Sequence, residues 1–75
     1  MTPERYELVF ADGAEGEEDV VIVSRTEYTG AGGHPVYVDP SGIVRAEISD
    51  QGEVRILASG AGQVPARVLR ARALS

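Results

Sequence analysis

Chemistry in this sequence would have to come from very few residues. His34 is the one histidine, set between Gly33 and Pro35, and there is no cysteine. A lone histidine cannot hold zinc without thiolate or carboxylate help, and as a general base it needs an orienting partner within hydrogen-bond reach. The serines at 24, 41, 49, 59 and 75 stand in no nucleophile-elbow context, and any triad would have to share the single imidazole. Asp12, Glu15, Glu17, Glu18 and Asp19 offer oxygen ligands, yet they lack the alternating Asp/Asn spacing with a distal glutamate that a calcium loop requires. TGAGGH at 29–34 has the glycines of a phosphate loop but leads into Pro35 and an extended run, where a phosphate loop leads into a helix N-terminus. It reads as a flexible connection. These residues point away from an enzyme and predict no metal and no cofactor.

The elements that position such residues centre on 34–57, HPVYVDPSGIVRAEISDQGEVRIL, where three apolar-alternating runs are separated by DPSG and SDQG. Pro40 presets the backbone angle wanted early in a type I turn, and Gly42 and Gly52 supply the left-handed residue that follows. Three-residue loops, Pro40–Gly42 and Asp50–Gly52, then predict an antiparallel meander with a defined register. Val38 faces Val44, Val36 faces Ala46, Ala46 faces Ile56 and Ile48 faces Val54, all on one side. The other side carries Tyr37, Arg45 and Leu57 in a row, with Glu47 opposite Arg55. A slip of one residue would exchange the two faces of a strand.

Around that block, residues 4–10 alternate Tyr6, Leu8 and Phe10 against Arg5, Glu7 and Val9 and predict a strand. Residues 11–18 read as a loop, 19–28 as a second strand, and 59–65 as a glycine-rich break. The segment from Ala66 onward alternates at period two through Arg70, Ala71, Arg72, Ala73 and Leu74, although Ala, Leu and Arg are also good helix formers. A strand is favoured because it would cover an edge of the first strand; the alternative is a short C-terminal helix. The predicted fold is all-β, one domain over 1–75: a small curved antiparallel sheet or partly open barrel of five to six strands in meander order. Its core is expected to take Leu8 and Phe10, Val20 and Ile22, Val36 and Val38, Val44 and Ile48, and Val54 and Ile56.

A chain of 75 residues buries only about 60% of the surface exposed by its unfolded form, so modest stability is expected without disulfides. No apolar run approaches the roughly 20 residues of a membrane span and no signal peptide is evident. A soluble, cytoplasmic protein without a membrane role is expected. The net charge of −5 argues against binding nucleic acid through its phosphates. All 12 carboxylates and three of the seven arginines lie at or before Glu53, a net −9, while Arg55, Arg67, Arg70 and Arg72 follow and give +4. Such a split suits docking on a partner or on a second copy.

RYELVF, DVVIV and above all GGHPVYVDPSGIVRAEISDQGEVRIL resemble a family of short, functionally uncharacterised proteins from GC-rich, actinomycete-type bacteria. The likeness covers nearly the whole chain. It implies a domain of this size and carries no activity, ligand or catalytic residue.

The function expected from the residues is a non-catalytic binding or accessory module that acts through a protein partner or as a homo-oligomer. Tyr37, Arg45 and Leu57 are its candidate contacts, since aromatic, guanidinium and apolar groups side by side are the makings of an interface hot spot. A second reading is a small-molecule-binding barrel with its site at the end carrying Tyr28, His34 and Asp50. A third is an acidic inhibitor of a nucleic-acid-binding protein, acting through the 12–19 loop.

Overall fold

The computed structural model describes residues 2–11, 18–59 and 67–74. They form six strands: β1 (Arg5–Ala11), β2 (Glu18–Thr29), β3 (Pro35–Val38), β4 (Val44–Ile48), β5 (Val54–Ser59) and β6 (Arg67–Ala73). The strands lie in one curled antiparallel sheet, a half-barrel in the order β5-β4-β3-β2-β1-β6. The chain is thus all-β and runs as a meander whose last strand returns to flank the first. The C-terminal segment is a strand and not a helix. Arg70 and Arg72 are exposed and Ala71 packs on the core, so the period-two pattern decides over helix propensity.

The concave face holds the core. Tyr6, Leu8, Phe10, Val23, Tyr37, Ala46 and Ile48 are buried there, with Val21, Val44, Val54, Ile56, Val68 and Ala71 packed against them. On β1 and along β4 and β5 these are the expected residues. β2 and β3 present the opposite face from the one predicted. Val20 and Ile22 are exposed, at 58% and 37%, while Val23 is fully buried. β1 dictates this, because Tyr6 pairs with Val23 and Leu8 with Val21, and cross-strand partners share a face. The unbroken apolar run at 20–23 contains no alternation that could have selected a side.

β3 differs by one residue of register. Val36 pairs with Glu47, Tyr37 with Ala46 and Val38 with Arg45, where the two-glycine reading set Val36 against Ala46 and Val38 against Val44. The Asp39 N–H bonds to the Val44 carbonyl at 3.1 Å, so the first loop has four residues, Pro40 to Ile43. The second turn is the expected three-residue loop, closed by the Ser49 N–H on the Glu53 carbonyl at 2.9 Å. Both turns carry a positive-φ glycine, Gly42 at 79° and Gly52 at 80°.

The side chain opening each turn accounts for the difference. Asp39 Oδ1 accepts from the Val44 N–H at 3.0 Å, five residues on. Ser49 Oγ accepts from the Glu53 N–H, four residues on, at 3.0 Å. The carboxylate oxygen lies one bond farther from the backbone than the hydroxyl and captures an amide one residue later. Tyr37 turns inward as a result.

Candidate functional site

Turning Tyr37 inward removes it from the expected outer row. Its ring is fully buried, so it makes no part of a contact surface, and Val36 and Val38 take its place on the convex side, Val36 only 9% exposed and Val38 half-buried. Arg45 and Leu57 stay on the convex side as predicted. With Thr26, Tyr28, Val36 and Val38 they line a groove of about 430 Å³.

Each strand contributes one part of this groove. β3 gives the floor through Val36 and Val38. β2 gives one wall through Tyr28, which is 69% exposed. The opposite wall is Arg45 on β4 and Leu57 on β5, the leucine 47% exposed. Alternation with the inward Val54 and Ile56 turns Leu57 outward, and a bulge leaves it with no residue directly opposite, since Arg45 pairs with Ala58 and Ala46 with Ile56. Thr26 fixes the β2 rim, its hydroxyl donating to the Val36 carbonyl at 2.8 Å and accepting from the Tyr28 N–H at 3.1 Å. Among the described residues the ion pairs are Arg25 with Glu4 and Arg72 with Glu7; Arg45 has no carboxylate.

A second cleft, of about 360 Å³, opens where the β2–β3 connection meets the β4–β5 hairpin, and includes His34, Glu47, Ser49, Glu53 and Arg55. Glu47 faces Arg55 across the ladder as expected, but it is buried, only 4% exposed. The glycine-rich segment covers it. Glu47 Oε2 accepts from the His34 N–H at 3.1 Å, and Oε1 is buried without a hydrogen-bond partner. A Cβ on Gly30 would overlap the Glu47 carboxyl group, and one on Gly32 would lie 2.8 Å from Oε2. The segment closes on itself through Gly30 N–H to the His34 carbonyl at 2.8 Å and Gly33 N–H to the Gly30 carbonyl at 3.0 Å. TGAGGH is therefore a fitted cover over a carboxylate, in place of the flexible connection read from its composition.

Tyr28, His34 and Asp50 do not come together in one cleft. Tyr28 lines the outer groove and His34 the second cleft, while exposed Asp50 lies in the β4–β5 turn. Among the described residues no three His, Asp or Glu side chains are grouped to hold a metal ion, and no helix is long and apolar enough to cross a membrane. Asp12, Glu15 and Glu17 of the acidic stretch, and the 60–65 part of the glycine-rich break, lie outside the described residues.

Sequence reasoning put Val36 and Val38 on the wrong face, although Val36 is buried as expected, and it missed Glu47 as a buried residue. The reach of Asp39 was the available signal for the first; the pair of glycines at 30 and 32 was the signal for the second.

Fold and groove together define a small all-β half-barrel with an apolar outer channel, lined also by Arg45, which has no carboxylate partner among the described residues. Over residues 1–75 the chain matches the family of unknown function DUF6296, and it belongs to that family. No curated protein and no solved structure matches it.

Proposed function

We propose that this chain is a non-catalytic binding module that acts through a protein partner, with the groove over β3 as its contact surface. One observation carries the reading: an apolar floor of Val36 and Val38 lies between Tyr28 and Leu57, and the cation beside it, Arg45, has no carboxylate among the described residues. Aromatic, aliphatic and arginine side chains around a recess are the composition of binding hot spots. Tyr28 and Leu57 remain largely open to solvent, whereas a small-molecule pocket encloses most of its ligand. We place the module in the cytoplasm, where a chain without cysteine loses no stabilising bond to reduction.

The test is a pull-down with the immobilised chain alongside Arg45→Glu, Leu57→Asp and a control at the exposed turn residue Gln51. Folding of each variant is checked by its melting curve. The reading predicts partners retained by the control and lost by both groove variants. Folded groove variants that keep every partner overturn it. A second copy as the partner would appear as a concentration-dependent dimer in sedimentation, abolished by Leu57→Asp.

A further inference from the structure

The charge in the groove specifies what kind of partner segment fits, an inference resting on the reading above that the groove is a contact surface. Tyr28 and Leu57 stand on β2 and β5, three strand spacings apart, or about 14 Å between backbones. A single extended segment fits within that span, since neighbouring extended strands lie about 4.8 Å apart. On the same face of β2, beyond Thr26 and Ser24, Ile22 and Val20 are also exposed. Arg45 is the single charge of the groove lining. In an apolar setting an arginine is satisfied best by a carboxylate, which accepts two parallel N–H bonds from it.

We infer that the groove binds a short partner segment in which an acidic side chain sits between apolar ones. The carboxylate lies on the Arg45 guanidinium, and an apolar neighbour rests on Val36 and Val38 between Tyr28 and Leu57. The chain's own net charge of −5 repels acidic segments at long range, so such a segment is held only where its carboxylate meets Arg45.

The probe is a pair of blocked pentapeptides, acetyl-Val-Leu-Asp-Leu-Val-amide and its Asn counterpart, titrated into the full ¹⁵N-labelled chain and into Arg45→Gln. Expected are saturable amide shifts at Val36, Val38, Arg45 and Leu57 with the acidic peptide. Binding of the Asn peptide should be weaker by about tenfold, the loss typical of a charge-assisted bond. In Arg45→Gln, with native spectral dispersion retained, the two peptides should bind alike. Equal binding of both peptides to the unaltered chain, within the groove, overturns acid recognition and leaves the contact surface standing. Shifts confined to other faces, or no saturable shift with either peptide, overturn both.

Discussion

The Tyr37 ring meets Tyr6 edge to face, with centroids 5.1 Å apart and planes at 84°. Its hydroxyl donates to the Pro3 carbonyl at 2.6 Å. One side chain thus ties the middle of the sheet to β1 and to the chain that precedes it. Because the fully buried ring is central to the core, Tyr37→Ala should cost about 3–5 kcal/mol. Tyr37→Phe keeps the ring and should cost about 1 kcal/mol for the lost hydrogen bond. Denaturant titration measures both, and a near-neutral Tyr37→Ala would contradict the inward register of β3.

The same residue makes an alkaline prediction. Burial raises the Tyr37 pKa above its ordinary 10.0; Tyr6 and Glu4 add to the rise and Arg25 opposes it. A group whose folded pKa is raised contributes stability that is complete below its unfolded pKa and is lost as pH climbs through the folded value. Melting temperature should therefore fall as pH is taken above 10.0, and Tyr37→Phe should lack that part of the decline.

Asp39 behaves in the opposite sense. Burial, the largest single influence, would raise its pKa, but bonds from the Ser41 hydroxyl and from the N–H groups of Val44, Ser41 and Gly42 together hold it below its ordinary 3.8. Its stabilisation is present above that value and lost as pH falls through the lower folded one. Asp39→Asn should flatten this acid limb of a pH–stability profile. It should also loosen the four-residue loop, seen as faster amide exchange at Val44.

The cover over Glu47 predicts a coupled pair. Gly30→Ala forces a methyl group into the carboxyl group and should cost about 1–3 kcal/mol, the usual range for overpacking. In a Glu47→Ala background the same change should cost less, because the obstruction is gone. A double-mutant cycle measures the difference, and additive costs would contradict direct packing of loop on carboxylate.

These particulars show what the sequence makes legible. Strand content, strand order, the β4–β5 register and the inward side of β1 follow from alternation and from a glycine-closed three-residue turn. The faces of β2 and β3 do not. Residues 20–23 are apolar without a break, so only pairing with β1 assigns their sides. DPSG and SDQG look alike by glycine position, and they differ in the reach of the side chain that opens them. That one bond of extra length goes with Tyr37 leaving the proposed contact row for the core and with Val36 and Val38 turning to the convex face, where Val36 stays buried. Arg45 and Leu57 were legible because alternation sets them opposite the inward Ala46 and Ile56; their expected direct pairing was not, since the bulge sets Arg45 against Ala58.

A photocrosslinker placed at Leu57 reports whether the convex groove is where this chain meets its partner. Irradiation in cells, with a second crosslinker at exposed Gln51 for comparison, should give an adduct of definite mass from position 57 alone, absent when Arg45→Glu is added. An adduct of equal yield from both positions, or one from 57 that survives Arg45→Glu, would contradict the claim.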